Sequence, residues 1–187
     1  EMCIRDRCKP LLKSEIRLRK LAMSDAKSML EWMQTPDIYE KMQYDPAKQS
    51  IETCCHFIEK SWDDKCNLHY AITDQKQTYL GTVSLKNIDR DNKHAEFAIA
   101  LHPIAIGKNI GTSALRLIMG VAFEELELNK VYLYVRKDNE RAIAFYERNH
   151  LELEGCFKEH LKIGESYKDI YWYALRKENY MTWKQMF

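Results

Sequence analysis

The sequence has no pair of cysteines at CxxC spacing and no cysteine–histidine grouping at the spacing of a zinc site. It carries six cysteines: Cys3, Cys8, Cys54, Cys55, Cys66 and Cys156. Their placement argues against a structural metal centre and a thioredoxin-like redox motif. A chain of 187 residues with 45% hydrophobic side chains does not need disulfide staples, and Arg5, Asp6 and Arg7 interrupt any apolar leader. The expectation is therefore reduced thiols in a cytoplasmic protein. Neither sign of charge is in excess: 29 basic and 28 acidic side chains leave a net charge of +1. That balance predicts no general attraction to nucleic acid or to an anionic membrane, so any anion site must be local. No stretch approaches the roughly 18 apolar residues of a membrane span. Internal repeats, low-complexity tracts and interdomain linkers are also missing. What remains is one compact domain.

The opening "EMCIRDRC" has neither period nor cap, and residues 1–13 read as a non-native or disordered extension. Residues 14–176 read as the single domain and 177–187, "KENYMTWKQMF", as a tail of uncertain order. "EIRLRKL" alternates as a half-exposed strand. "MSDAKSMLEWM" offers Ser24 as a cap, with Ala26, Met29, Leu30 and Met33 at helical spacing, and Pro36 stops the run. A second helix is predicted from Ser50 to Trp62, with Ile51, Cys55, Ile58 and Trp62 inward. Residues 67–101 change to a period of two, giving three antiparallel strands around the polar turns "DQKQ" and "DRDNK". In the last strand Ala95, Phe97, Ile99 and Leu101 face one way, and Glu96, Ala98 and Ala100 the other. Then follow a helix striped by Leu115, Ile118, Met119, Ala122, Phe123 and Leu126, a strand "KVYLYV", a helix "NERAIAFYERN" capped by Asn139, and two strands near 152–160 and 167–175. The fold class is α/β in the α+β sense: a mixed, mostly antiparallel central sheet with helices on both faces.

Between the third strand of the meander and the next helix lies "HPIAIGKNIGTSAL". A helix start exposes unpaired N–H groups, which with the helix dipole favour an anion. Gly107 to Thr112 can aim several amides at a pyrophosphate, and Lys108 adds charge. Asn109 stands where a Gly-x-Gly pair would have its first glycine, and asparagine is the best non-glycine substitute in a left-handed conformation. No GxxxxGK[ST] and no GxGxxG in a strand–helix crossover is present, which sets aside a P-loop and a dinucleotide fold. Taken alone, the loop is equally a plain glycine-containing helix start.

Thirty residues later comes "DNERAIAFYERNHLELEG". Its Asn-x-x-Ala-(x)₃-Tyr-Glu pattern resembles the later motif of the GNAT superfamily of acyl-CoA N-acyltransferases, and "IALHPIAIGKNIGTSAL" resembles that superfamily's cofactor motif. The similarity runs from about Glu15 to Leu175. It is nearest to ribosomal-protein N-terminal acetyltransferases and bacterial amino-sugar acetyltransferases. The resemblance implies acetyl-CoA as cosubstrate, lying between two splayed strands, here 94–101 and 130–136. Ile99, Ala100 and Leu101 would offer main-chain groups to the pantetheine arm and thioester, as in strand addition. Gly107, Lys108, Asn109, Ile110, Gly111 and Thr112 would wrap the pyrophosphate, with Asn139 also on the cofactor. Three positions depart from the pattern. Ile106 replaces Gln/Arg, Asn109 replaces the first Gly, and His150 stands where Gly is usual.

By the same resemblance Tyr146 is the candidate acid for the departing thiolate. It lies two helical turns after Asn139, on the same face. The alternative is that Ala142, Ile143 and Tyr146 form a buried stripe. Glu96 is the candidate base; otherwise it sits on a solvated strand face. A lysine-like amine is only about one part in two thousand neutral at pH 7, a deficit of about 4.5 kcal/mol, against about 1 kcal/mol for an α-amine. A strong base thus matters less for α-amines and weakly basic sugar amines. Some family members carry a Glu at the position of Tyr134 here, so that base is absent. His94 and His102 read more simply as loop histidines, and Cys54, Cys55 and Cys156 as small buried hydrophobes. Trp32, Tyr39 and Tyr44 could line the acceptor pocket or simply pack.

The expected function is acetyl transfer from acetyl-CoA to a primary amine by direct attack in a ternary complex, in a monomer or homodimer. A small-molecule amine or amino-sugar nucleotide is the favoured acceptor. A protein N-terminus is the alternative acceptor, and a non-catalytic acyl-CoA-binding module the alternative class.

Overall fold

The computed structural model describes residues 16–36 and 45–187. Seven strands form one sheet: β1 (Arg17–Lys20), β2 (Leu68–Thr73), β3 (Tyr79–Asp89), β4 (His94–Leu101), β5 (Lys130–Arg136), β6 (Glu152–Ile163) and β7 (Ser166–Arg176). Their spatial order is β1-β2-β3-β4-β5-β7-β6. Every neighbouring pair is antiparallel except β4 and β5, which the intervening helix makes parallel. Among the described residues the main helices are α1 (Ala26–Met33), α2 (Ile51–Asp63), α3 (Ile110–Gly120), α4 (Glu140–Arg148) and α5 (Lys177–Gln185). The fold is therefore the expected mixed, mostly antiparallel one. Residues 1–13, Tyr39 and Tyr44 lie outside the described residues.

Turn chemistry sets the meander. In the β2–β3 turn the Asp74 carboxylate accepts from the amides of Lys76 (2.9 Å) and Thr78 (2.8 Å). In the β3–β4 turn Asp89 accepts from the amide and side chain of Asn92 at 2.7 and 2.8 Å. Such side-chain mimicry of a backbone turn is what aspartate supplies at these positions. The strand period of two then sends adjacent residues to opposite layers. Ile72 enters a core built on α3 and the C-terminal helix, with Val83, Leu85, Phe97, Leu115, Ile118, Met119, Val131, Leu133, Tyr180 and Trp183. Its neighbour Ala71 enters the other, with Leu21, Ala26, Met29, Trp32, Cys54, Ile58 and Tyr79. Helices thus cover both faces.

Four local readings change. Ser24 does not cap α1; it sits in a 3₁₀ turn, Met23–Asp25, ahead of the helix. The buried Asp25 organises the entry instead, accepting two 2.7 Å bonds from the Arg19 guanidinium and one of 2.9 Å from the Ala22 amide. The fork-to-carboxylate match outcompetes a hydroxyl cap. In α2, Ser50 accepts from the Thr53 amide at 3.3 Å, and the inward pair is Cys54 and Ile58 at i, i+4. Ile51 and Trp62 are 40% and 43% exposed, though the Trp62 indole donates to the Leu21 carbonyl at 2.7 Å. Residues 177–185, read as a tail, form α5. Tyr180 and Trp183 are buried, Tyr180 stacks on Phe123 at 4.7 Å, and the Trp183 indole donates to the Asn149 carbonyl at 2.6 Å. Two inward residues in a polar run are too few to raise a helical period.

Because Asp25 is 3% exposed and holds both Arg19 and a turn amide, Asp25→Ala should lower stability by about 2–3 kcal/mol in urea unfolding. A change below about 0.5 kcal/mol would show that the pair is peripheral.

Candidate active site

β4 and β5 pair over only three positions, His94↔Lys130, Ala95↔Val131 and Glu96↔Tyr132. Beyond these, β5 turns to β7 and β4 stays with β3. Ile99, Ala100 and Leu101 therefore lie along an opening in the middle of the sheet. The His102 amide donates to the Leu80 carbonyl, and Thr82 pairs with Ala100. Antiparallel alternation then turns the Ala100 main-chain groups toward β3 and those of Ile99 and Leu101 toward the opening. Ala100 is thus the exception among the three: its methyl packs against the α1–α2 layer instead.

Gly81 permits this geometry. It sits opposite Leu101 with φ +153°, and a Cβ there would lie 2.4 Å from the Ala100 carbonyl oxygen and 3.0 Å from the Leu101 Cα.

The loop after β4 begins with a 3₁₀ turn, Pro103–Ala105, in which the His102 ring nitrogen accepts from the Ile104 amide at 3.3 Å. His102 also lies 3.7 Å from Glu31, so its groups serve the turn and α1. His94 lies 3.8 Å from Asp89 and packs edge-on against Tyr132. Gly107 has φ +78° and Asn109 φ +59°, so the asparagine does occupy a left-handed position. The Ser113 amide donates to the Asn109 carbonyl at 3.2 Å, and the Asn109 side chain does not cap the helix. The amides of Ile110, Gly111 and Thr112 thus precede the helical ladder, with no acidic residue in that first turn. This donor set, with Lys108 exposed beside it, fits a pyrophosphate. Gly111 has an additional reason to lack a side chain: a Cβ would come 3.1 Å from the Phe145 ring, so it lets α3 and α4 approach.

Asn139 caps α4, its side-chain oxygen accepting from the Ala142 amide at 3.3 Å. His150 ends that helix with φ +57°, the left-handed conformation that a glycine would otherwise supply. Between them Tyr146 lies half-buried in an aromatic box, 6.5 Å from Phe97, 5.4 Å from Phe145 and 5.9 Å from Tyr173 between ring centroids. Burial there pushes its hydroxyl up to about 12. Glu96 is buried, not solvated, at 7% exposure. One oxygen lies 2.6 Å from the Lys86 ammonium, and the other accepts from the Asn87 side-chain Nδ2 at 3.0 Å. Since β4 alternates, Glu96 and the Phe97 that Tyr146 touches point to opposite faces of the sheet. The two candidate groups thus lie on opposite faces of the sheet.

The match to the family model for the acetyltransferase (GNAT) domain spans residues 15–152. The chain belongs to the GNAT acetyltransferase family. As a GNAT protein it is an acetyl-CoA-dependent N-acyltransferase, and the donor set around the opening fits that cosubstrate. It is similar to spermidine N(1)-acetyltransferase of Escherichia coli K12, 25% identical over 182 residues, covering 93% of this chain and 87% of the relative. It is also similar to acetyltransferase PseH of Campylobacter jejuni (strain NCTC 11168), 27% identical over 160 residues, covering 86% of this chain and 91% of that one. The crystal structure of spermidine N-acetyltransferase from Vibrio cholerae in complex with CoA and spermine shares the fold, with TM-score 0.80 at 23% identity over 89% of this chain and 98% of that one.

Sequence reasoning missed Gly81, Lys86, Asn87 and Tyr132. Each acquires its place through cross-strand register, which no local period displays. Trp32, by contrast, is buried: it is 5% exposed and its indole donates to Tyr79 at 3.1 Å. No group of histidine, cysteine and carboxylate side chains among the described residues could hold a metal ion.

Gly81→Ala should displace Ala100 and Leu101 into the opening and weaken acetyl-CoA binding about tenfold by calorimetry, a loss of about 1.4 kcal/mol. Unchanged affinity would show that the edge of β4 does not touch the arm.

Proposed function

We propose that this GNAT protein acetylates the primary amine of a small molecule, an amino-sugar nucleotide in preference, by direct attack in a ternary complex. The thioester of acetyl-CoA supplies an activated acetyl carbonyl. Ile99 and Leu101 hold the arm along the open edge of β4, Gly107 to Thr112 hold the pyrophosphate, and the Asn139 cap orients α4. The acceptor nitrogen bonds to the carbonyl carbon as the carbon–sulfur bond breaks. Its proton leaves toward Glu96, and Tyr146 donates to the sulfur.

The observation that supports this reading is that Glu96 and Tyr146, which packs on Phe97, lie on opposite faces of the sheet near the point where β4 and β5 separate. Proton removal and proton supply are separated across the sheet, so neither group has to serve both ends. Glu96 lies three residues before Ile99, about 10 Å along a strand, so the proton reaches it through water. With both Glu96 oxygens also holding Lys86 and Asn87, the site suits an amine that needs little help to become neutral. Sugar amines and α-amines meet that condition better than lysine-like amines. The free thiols of Cys54, Cys55, Cys66 and Cys156 accord with a reducing cytoplasm. The names of the spermidine-acetylating relatives make a polyamine the competing acceptor.

Tyr146→Phe should lower kcat by about 10²-fold while leaving acetyl-CoA affinity within about twofold. The shape of the pH profile should not change, because a hydroxyl at about 12 keeps its proton throughout the working range. Thiol release followed over pH 6–10 tests this; an alkaline limb that disappears in the variant would overturn it. Glu96→Gln should lower kcat about 10²-fold as well, with acetyl-CoA affinity kept. A chain that binds CoA yet releases no thiol with any amine would be a binding module.

A further inference from the structure

Three side chains stand in line across the sheet on the Glu96 face. His69 of β2 is the register partner of Ser84 of β3, and Ser84 is the partner of Ala98 of β4. Nδ1 of the His69 ring and the Ser84 hydroxyl are 2.7 Å apart. Ala98 is the first residue on this face beyond the last β4–β5 pair, Glu96↔Tyr132, so the line ends at the opening. Ser84 and Ala98 lie two residues along the ladder from Thr82 and Ala100 and exchange main-chain bonds as that pair does, with Cα atoms about 5.5 Å apart. Ala98 contributes only a methyl group, so no long side chain at that position screens the hydroxyl from the opening.

The chemistry of this pair differs from that of the adjacent row. Glu96 holds Lys86 and Asn87, so a proton settling on it would break its ion pair. His69 makes no ion pair among the described residues; it is half-buried and lies edge-on to Phe57 of α2 at 4.8 Å. Burial holds its imidazole below the ordinary histidine value, so at neutral pH the ring is uncharged and can accept a proton. Two charged groups act on it. Asp64, just after α2, favours the protonated ring, and Lys86 of β3 opposes it. Asp64 keeps its charge, because the Asn67 side chain and the Cys66 amide hold it below the usual carboxylate range. On the other strands Glu96 is already paired with Lys86, and Lys20 of β1, opposite Tyr70, points to the other face.

We infer that Ser84 and His69 form the proton exit of the reaction, with His69 the final acceptor of the proton that leaves the amine. This rests on the function proposed above and carries it one step past Glu96. The amine N–H bond breaks and its proton moves through water toward Glu96. Glu96 regains its ion pair with Lys86 by passing the proton on, again through water, to the Ser84 oxygen, about 7 Å further along the sheet. The serine's own proton moves to His69 Nδ1 as the new one arrives. The net change is one N–H bond lost by the amine and one gained by the imidazole; serine, water and Glu96 are unchanged. The imidazolium, facing Asp64, then gives a proton to solvent. Ser84 and His69 touch no reacting atom and act only through this path.

The test follows thiol release over pH 5–9 with whichever of UDP-glucosamine, glucosamine and spermidine is turned over fastest, and acetyl-CoA affinity by calorimetry. His69→Gln keeps a partner for the Ser84 hydroxyl but cannot take up a proton. At pH 8 it should lower kcat about tenfold with acetyl-CoA affinity within about twofold. The ratio of wild-type to His69→Gln kcat cancels the titration of the amine itself. Because His69 accepts only while neutral, that ratio should hold at high pH and fall toward one below the ordinary histidine value of about 6.5. Ser84→Ala should match His69→Gln, and Ser84→Thr, which keeps a hydroxyl, should restore most of the rate. A His69→Gln rate close to wild type, a ratio independent of pH, loss of acetyl-CoA binding in His69→Gln, or a fully active Ser84→Ala would each overturn the relay while leaving N-acetylation intact. Acetyl-CoA binding by the wild-type chain without thiol release from any amine would overturn the catalytic reading together with it.

Discussion

A parallel pair inside an otherwise antiparallel sheet is short here, and the rest of the molecule depends on its brevity. After Glu96 and Tyr132 the two strands separate, so the main-chain groups of Ile99 and Leu101 have no strand partner on that side. Unpaired backbone in a sheet interior is costly unless something meets it. An extended arm carrying amides is the kind of ligand that can, and an edge of this kind can recognise it without a side chain. Gly81 keeps the opening in register by allowing β3 to approach Ala100 without a Cβ.

The sheet also separates the two candidate groups. Alternation along β4 sends Glu96 into a polar setting beside Lys86 and Asn87, and Phe97 into the core that Tyr146 joins. One group is ion-paired and the other sits among aromatic rings, so their environments differ as sharply as their positions. α4, which carries Tyr146, is anchored at both ends. Asn139 caps its start, while at its end the Asn149 side chain donates to the Phe145 carbonyl at 2.7 Å and Trp183 of α5 donates to Asn149. The C-terminal helix thereby contributes to the rigidity of the Tyr146 box from outside it.

Much of this was legible in the chain. The period-two stretch from 67 to 101, its aspartate turns and the strong stripe of α3 are local signals. So is the left-handed demand at Asn109, which an asparagine beside two glycines announces. The readings that shifted did so where a distant partner decided the matter. Asp25 rather than Ser24 orders the α1 entry because Arg19 reaches it from β1. Cys54 rather than Cys55 turns inward because the Ser50 cap and the sheet below set the rotation of α2. α5 is a helix because Phe123 and Asn149 receive its two aromatic residues.

The sequence by itself determined the order of elements from β1 to β7, the glycine and asparagine positions of the loop after β4, and the place of Tyr146 on the helix that follows β5. These depend on spacing along one element, where physical neighbours are also sequence neighbours. Only the tertiary structure decided that Glu96 is buried with Lys86, that Ala100 turns away from the opening, and that His69 and Ser84 stand in line with Ala98. Those facts depend on which residues of separate strands stand side by side, and register is set by the packing of the whole sheet.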